Sequence, residues 1–479
     1  MDGEKRKLGF FPMFAAILAG MIGSGVYDVS YQLGTVASPG AAIIAWLICF
    51  LGMLMFTFSL MNLLNKEPEG DGLFVYANKA CGPLAEFMSG WGYWMSGWIG
   101  NIAFATMMMI ALGTFFPVLG TAGNSWPAII VASIVLWLIF LLIRRGVENA
   151  MIINAIITVV KIVPLVLFFI VVVTSFNFGV FTADFWTNFA GNMAAANSGF
   201  DLGSVAGQVT GSMMTILWLF MGIESAALMS SRAKNKGIAA RATITGLACG
   251  TALMFIISLL PYGVMSADEF VALGEPSIAQ MMTLYIGPVG AQFIEAAIIV
   301  SILGAWLSYT LMPTEATSVL AQHGLLPKKF GALNKYGVAS FSLFLTTLLA
   351  NLLLISFHFT EDAYNFGYSL SASAILVTWV FITIYQVKRS VSHPDEKGRA
   401  KNIVIGAVGC IYFFYAMFIS GIAYILLCCI LYVVGFFFYY RARKQNGADQ
   451  VFTRTERIVV AAVAVAGLVG LVLYAMGLA

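Results

Sequence analysis

Two short stretches, MIGSGVY at residues 21–27 and LWLFMGIESA at residues 217–226, determine the architecture of this chain. Each lies within an apolar run long enough to cross a bilayer, which takes about 20 residues. Glycine weakens a helix because it adds backbone freedom and packs no side chain. Gly23 and Gly25 in the first stretch, and Gly222 in the second, therefore predict transmembrane helices that are interrupted near mid-membrane.

The composition of the whole chain indicates a membrane protein. Of its 479 residues, 60% are hydrophobic and 10% are charged, whereas a soluble domain carries about 25% charged residues. We predict an all-α integral membrane protein with roughly 12–13 transmembrane helices. The candidate spans cover approximately residues 8–32, 40–64, 84–116, 126–143, 149–174, 209–230, 243–264, 286–318, 338–357, 367–387, 402–419, 421–440 and 458–477. Ser420-Gly421 marks the turn of a tight helical hairpin within 402–440.

Lysine and arginine residues separate the two sides of the membrane. Outside the predicted spans they occur in the loops of one side, and the opposite loops, 33–39, 117–125, 175–208, 265–285 and 358–366, contain none. Cytoplasmic loops carry an excess of these residues. We therefore predict a multi-pass protein of the cell membrane with a cytoplasmic N-terminus. If residues 458–477 do not cross, twelve spans remain and the C-terminus is also inside.

The two interruptions lie five spans apart, so the spans that carry them have opposite orientations. This predicts a 5+5 inverted repeat, with repeats at about residues 8–174 and 209–387 and accessory helices at 402–440. We expect a transporter domain over residues 1–440, and a cytoplasmic linker with an extra transmembrane helix over 441–479.

Glycine-interrupted helices at corresponding positions of two inverted repeats are typical of a carrier's binding site. The N-terminus of a half-helix exposes N–H groups that suit a carboxylate, and a C-terminus exposes carbonyls that suit an ammonium group. An amino acid carries both groups on one carbon. The alternative that Gly23 and Gly25 only allow close helix packing stays open.

Other function classes lack their motifs. The chain has no H-E-x-x-H or C-x-x-C spacing and no phosphate-binding G-x-x-x-x-G-K-[ST] loop. We therefore expect no metal, no cofactor and no enzyme activity. A channel would need rings of charge or repeated carbonyl loops, and neither is visible. Nucleic-acid binding is not expected either.

Among the ionisable residues inside predicted spans, where such residues are functional hypotheses, we select Lys161 and Glu224. Lys161 lies 12 residues after residue 149, where its span begins next to Glu148, and so roughly 18 Å into the membrane. Glu224 belongs to the second interruption. For Glu224 the choice between gating or proton coupling and a structural pairing stays open.

Five motifs of the chain resemble those of a known family. The motifs are GMIGSGV at 20–26, WMSGWIGNIA at 94–103, LWLFMGIESA at 217–226, GAW at 304–306 and GLLPK at 324–328. Together they are similar to the amino acid–polyamine–organocation superfamily, in particular to bacterial antiporters that exchange arginine for ornithine or agmatine. The likeness covers about residues 9–440. It implies a LeuT-like fold, alternating access and, for some members, a homodimer.

The resemblance also implies roles for individual residues. Ile22, Ser24 and Gly25 would bind the substrate carboxylate. The carbonyls around Trp218, Leu219 and Met221 would bind its ammonium group.

Trp218 and Trp306 would form aromatic walls around the substrate side chain, and a cation over a tryptophan face gains about 0.5–2 kcal/mol. Tyr93 and Asn101, eight residues apart on one helical face, would serve as gate and side-chain pocket. Glu224 would be the gating carboxylate. Lys161 would supply the positive charge that a sodium ion supplies in other branches.

The leading hypothesis is an antiporter of a basic amino acid and its metabolic product. Its expected partners are this small-molecule amino-acid substrate and the lipid bilayer. The alternatives are a proton-coupled amino-acid symporter and an exchanger for a non-basic substrate.

Overall fold

The computed structural model describes residues 9–67, 73–146, 157, 160–187, 201–224, 234, 236–359 and 362–476. Within these residues the regular structure is helical, apart from one isolated bridge between Leu333 and Ala339. The predicted all-α class is therefore confirmed.

Eighteen α-helices follow one another in the described residues. They are α1 Phe10–Met21, α2 Gly25–Gly34, α3 Pro39–Lys66, α4 Leu73–Cys81, α5 Pro83–Gly113, α6 Trp126–Arg144, α7 Ile162–Val173, α8 Phe178–Ala183, α9 Leu202–Phe220, α10 Lys236–Leu259, α11 Ala267–Ala272, α12 Ser277–Ile286, α13 Pro288–Gln322, α14 Ser340–Ser356, α15 Ala363–Ser392, α16 Arg399–Ile419, α17 Ile422–Gln445 and α18 Arg454–Ala475.

Ten helices in the described residues are long and apolar enough to cross a membrane, namely α3, α5, α6, α10 and α13 to α18. The first predicted span is divided into α1 and α2. The chain is therefore a multi-pass membrane protein. Its division into repeats, accessory helices and a C-terminal linker with an extra span stays a prediction.

The predicted span boundaries are confirmed in part. The hairpin turn is correct, because α16 ends at Ile419, α17 begins at Ile422, and Gly421 between them has a φ of 97°. The predicted outer loop 175–208 is wrong as a loop, since it contains α8 and the first turns of α9. Asp201 caps α9 by accepting a hydrogen bond from the Ser204 N–H at 3.1 Å, a signal that the apolar pattern alone does not show. Residues 149–156 and 225–230 of two predicted spans lie outside the described residues.

Helix α5 lies at the centre of the bundle and is buried along nearly its whole length. Its glycines let neighbouring helices approach closely, as small residues do between transmembrane helices. A Cβ atom on Gly97 would lie 1.9 Å from Pro313 Cγ on α13. A Cβ atom on Gly92 would lie 2.9 Å from the Ala374 carbonyl oxygen on α15. The glycines of α5 therefore fix the positions of the two helices that complete the central site.

Candidate functional site

The two predicted interruptions exist and touch each other. Helix α1 ends at Met21 and α2 begins at Gly25, while α9 ends at Phe220. Gly222 has a φ of 103°, and a Cβ atom there would lie 2.4 Å from the Gly20 carbonyl oxygen. Only glycine combines this backbone conformation with so close an approach. The break in the first span is thus in backbone contact with the break in the sixth.

The start of α2 presents hydrogen-bond donors. The N–H groups of Ser24 and Gly25 donate to no backbone carbonyl in the described part of the chain. Ser24 is fully buried, and its Oγ makes no hydrogen bond of normal geometry there, although the Tyr364 hydroxyl lies close to it. Helix N-termini carry unpaired N–H groups and a partial positive charge, which together favour an anion. Ser24 and Gly25, with Ile22 just before them, therefore form a surface suited to a carboxylate.

The end of α9 presents acceptors to the same place. A Cβ atom on Gly25 would lie 2.7 Å from Leu219 Cδ2 and 2.8 Å from Trp218 Cδ1. The Trp218 carbonyl accepts a bond from the Met221 N–H at 3.3 Å, whereas the carbonyls of Leu219 and Met221 accept no backbone bond from any described residue. Free carbonyls at a helix C-terminus carry partial negative charge. The donor end of α2 and the acceptor end of α9 are therefore adjacent.

Glu224 holds the second break together. Its Oε1 accepts a hydrogen bond from the Gly222 N–H at 3.0 Å, and the side chain is 3% exposed. Oε2 makes no hydrogen bond of normal geometry among the residues described, and the Trp379 indole lies close to this carboxyl group. Tyr93 lies close enough to this carboxylate to interact electrostatically. One oxygen of Glu224 thus satisfies a backbone group freed by the break, and the other is available.

Lys161 connects the start of α7 to the first break. The side chain is fully buried, and its Nζ donates to the Ile22 carbonyl at 2.7 Å. In return the Tyr27 hydroxyl donates to the Lys161 carbonyl at 2.9 Å. The Lys161 amine nitrogen therefore lies against the C-terminal end of α1, where a helix favours a cation.

The aromatic wall beside the breaks consists of Trp218 and three rings that the sequence analysis did not select. The ring centroid of Trp218 lies 5.5 Å from Phe104, 5.8 Å from Tyr309 and 6.2 Å from Tyr368. Phe104 follows Asn101 by three residues and Tyr309 follows Trp306 by three. Residues three apart on a helix are neighbours, so this spacing was the sequence signal that could have identified Phe104 and Tyr309.

The remaining predicted residues lie on α5 and α13. Asn101 Nδ2 donates to Thr310 Oγ1 at 3.2 Å, and Asn101 Oδ1 has no partner in the described residues. Trp306 is fully buried, and no ring contact between Trp306 and Trp218 occurs in the described part of the structure. Tyr93 is buried and packs on Phe74, with ring centroids 5.6 Å apart.

Asp28 is a further buried residue that the sequence analysis did not select. It is fully buried on α2, one turn beyond Ser24. The signal was a carboxylate inside a predicted span, which the principle applied to Lys161 and Glu224 would have selected.

Comparison with known proteins assigns the fold to a family. The model of the family described as amino acid permease matches residues 8–466. The chain belongs to the amino acid permease family. The resemblance read from the motifs is thereby confirmed. As an amino acid permease, the protein is a transporter and not an enzyme, and its substrate is an amino acid, a small molecule.

Similar permeases of known name cover almost the whole chain. An arginine/ornithine antiporter of Latilactobacillus sakei is 39% identical over 479 residues, which are 100% of this chain and 99% of that protein. The arginine/ornithine antiporter ArcD1 of Lactococcus lactis is 39% identical over 89% of this chain and 82% of its own length. An arginine/ornithine antiporter of Pseudomonas aeruginosa is 32% identical over 98% of this chain and 97% of its own.

Proposed function

We propose that this amino acid permease exchanges arginine for ornithine by alternating access. The observation that carries the proposal is the contact between the donor end of α2 and the acceptor end of α9 beside the aromatic wall. A zwitterion matches this pair of helix ends. The rings can hold a cationic side chain without a buried counter-ion, and such a site can also release its cargo. The names of three similar proteins, at 32–39% identity, support the same substrate pair.

We assign the binding roles as follows. Ile22, Ser24 and Gly25 bind the substrate carboxylate, and the carbonyls of Trp218, Leu219 and Met221 bind its ammonium group. Trp218 and Trp306 enclose the side chain. Asn101 offers its free Oδ1 to the guanidinium, and Tyr93 closes the site near Glu224.

The environment of the transporter is part of the proposal. The distribution of lysine and arginine supports insertion into the cell membrane with the N-terminus in the cytoplasm. The loop segment at 265–285 then faces outward. A homodimer is the arrangement that the family resemblance implies.

We also propose that transport needs no sodium. Lys161 donates to the Ile22 carbonyl at the end of α1, and so supplies a fixed positive charge beside the broken first span. Arginine and ornithine carry equal charge at neutral pH, so their exchange moves no net charge across the membrane.

Flux into proteoliposomes tests the function. Radiolabelled arginine is supplied without sodium to vesicles loaded with ornithine, agmatine, lysine or nothing. We expect uptake into ornithine-loaded vesicles and none into empty ones. Equal uptake into empty vesicles, increased by an inward proton gradient, would instead establish a proton-coupled symporter. Uptake that stops completely without sodium would overturn the role of Lys161.

A further inference from the structure

The far end of α2 carries a group of polar side chains, which we call the acidic cluster and define as Asp28, Gln32, Glu275 and Asp362. Asp28 and Gln32 are buried, Glu275 is half-buried and Asp362 is exposed. Gln32 Nε2 donates one hydrogen bond to Asp28 Oδ2 and another to Glu275 Oε1, both at 2.8 Å. Asp362 caps the start of α15 and lies close enough to Asp28 and Glu275 to interact electrostatically. The cluster therefore joins α2 to the segment between α11 and α12.

The acidic cluster has no basic partner within the part of the chain that the structure describes. Every ion pair among the described residues involves other carboxylates, namely Glu67, Glu86 and Glu396. The nearby loops at 265–285 and 358–366 contain no lysine or arginine. Burying carboxylates without a compensating cation is costly. The site therefore has a place for positive charge that no described lysine or arginine fills, and that a proton on Glu275 takes in the empty protein.

Two unpaired oxygens beside Gln32 point to the same conclusion. Asp28 is fully buried and its carboxyl group lies against that of Glu275, while its Oδ1 accepts no hydrogen bond from a nitrogen or hydroxyl donor of normal geometry in the described residues. Ser277 is also fully buried, and its Oγ has no partner there either. The Ser277 backbone lies close to the Asp28 carboxyl group, so Ser277 adjoins the cluster. Buried polar atoms nearly always have partners, and these two are open to an additional donor.

We propose that the acidic cluster is an outer subsite that binds the side-chain cation of a basic amino acid before the substrate reaches the broken helices. The proposal rests on the proposed exchange of arginine for ornithine. The Gln32 amide nitrogen now donates to two carboxylates at the position that the substrate cation takes. A guanidinium or ammonium group supplies the same donors together with the missing charge. Displacement of Gln32 is therefore favourable for a cationic side chain and unfavourable for a neutral one.

The position of the cluster fits this order of events. Asp28 follows Ser24 by four residues on the same helix, a rise of about 6 Å. Both residues therefore lie on one face of α2, because residues four apart are helical neighbours. A substrate held at Asp28 by its side chain has its carboxylate within one turn of the donor end of α2. The subsite thus selects for charge next to the site that binds the backbone of the amino acid.

The test compares arginine with citrulline, in which an uncharged ureido group replaces the guanidinium. Ornithine-loaded proteoliposomes give the external KM for arginine and the inhibition constant for citrulline. We expect Asp28→Asn and Glu275→Gln each to raise the arginine KM about tenfold or more, with less than a twofold change for citrulline. Gln32→Lys should have the same effect, because a tethered ammonium group occupies the subsite. Asp268→Asn, an exposed carboxylate on α11, is the matched control and should match wild type.

Each other outcome has a defined meaning. An arginine KM within twofold of wild type in both Asp28→Asn and Glu275→Gln overturns the subsite and leaves the exchange function intact. A parallel increase for arginine and citrulline overturns it as well, because the cluster is then a structural contact. If wild type and Asp268→Asn both fail to exchange arginine, the proposed function itself is wrong and the subsite fails with it. If Asp28→Asn is not monodisperse in detergent, Glu275→Gln and Gln32→Lys decide the test.

Discussion

Charged side chains gather at two places in this permease, and the two places are built in opposite ways. The inner network, defined as Lys66, Glu67, Lys79, Arg389 and Glu396, joins α3, α4 and α15 to the loop after α15. Arg389 donates to Glu67 at 3.0 Å and to Glu396 at 2.7 Å, Lys66 pairs with Glu396 at 2.9 Å, and Lys79 pairs with Glu67. Each carboxylate there has two cations, whereas the acidic cluster has none in the described residues.

The difference separates structure from binding. A carboxylate that is fully paired holds helices together and has nothing left to offer a ligand. A buried carboxylate with an open oxygen makes the empty protein less stable and gains from a cation that arrives. The same residue type therefore serves the fold at one end of the molecule and the substrate at the other.

Breaking the inner network should have the largest effect on stability. Arg389 is 8% exposed, and Arg389→Gln would leave Glu67 and Glu396 without their shared cation. Removing one partner of a buried pair costs about 3–5 kcal/mol. We expect a clearly lower thermal midpoint in detergent, with an unchanged arginine KM for the protein that remains folded. Arg441→Gln, on the exposed end of α17, is the control. Equal stability of the two variants would show that the inner network is not structural.

Removing a carboxylate from the acidic cluster should not lower the stability of the fold. Asp28→Asn removes a buried carboxylate oxygen that has no partner in the described residues, and a buried unsatisfied group costs about 1–3 kcal/mol. We expect the free energy of unfolding to stay equal to wild type or to rise, while arginine binding weakens. Thermal midpoints with and without arginine measure both effects. A large loss of stability in Asp28→Asn would contradict the comparison.

The pH dependence of the two regions should differ in sign. Hydrogen bonds from Arg389 and Lys66 lower the pKa of Glu396 from 4.5 to about 2. Its depressed folded-state pKa stabilises the fold above pH 4.5, and this contribution is lost as the pH falls from 4.5 to about 2. Burial, together with Asp28 and Asp362, raises the pKa of Glu275. The folded protein then keeps a proton that the unfolded chain releases, so this contribution to stability falls as the pH rises above 4.5.

Arginine binding should also depend on pH, because the substrate cation displaces the proton on Glu275. Asp28 and Tyr31 on α2, and Asp362 and Tyr364 at the start of α15, are the titratable groups around Glu275. We expect the arginine KM to fall between pH 6 and pH 8, by up to about tenfold per pH unit. Glu275→Gln should flatten this profile, and a profile equal to wild type would contradict the displacement.

The smallest effect is expected at the exposed edge of the inner network. Lys79 is 40% exposed and pairs with Glu67, which keeps Arg389 as a second partner. Exposed pairs contribute about 0–1 kcal/mol. Lys79→Met should therefore lower the thermal midpoint by no more than a degree or two, far less than Arg389→Gln. Comparable decreases of the thermal midpoint in Lys79→Met and Arg389→Gln would mean that solvent exposure does not determine how much each ion pair of the network stabilises the fold.

The sequence predicted those parts of the site that depend on local backbone preference. Gly23, Gly25 and Gly222 predicted both breaks, because glycine weakens a helix more than any residue except proline. It did not predict that Phe104, Tyr309 and Tyr368 surround Trp218, since that depends on the rotation of three helices about their axes. The pairing of Gln32 with Glu275 joins residues 243 positions apart, and one sequence contains no signal for such a contact. Asp28 could have been selected, as a lone carboxylate in its span. The role of Trp306 stays a prediction.

The contact between Gly222 and the Gly20 carbonyl also has a mechanical consequence. Because no side chain separates the two broken spans at Gly20 and Gly222, each span can tilt against the other about this contact. If the half-helices on one side of the contact separate, those on the other side approach each other. An opening toward one side of the membrane would then narrow as the opening toward the other side widens. A methyl group at Gly222 would push the two broken spans apart and remove this contact. Under the proposed alternating access, Gly222→Ala should therefore uncouple the two sides of the transporter.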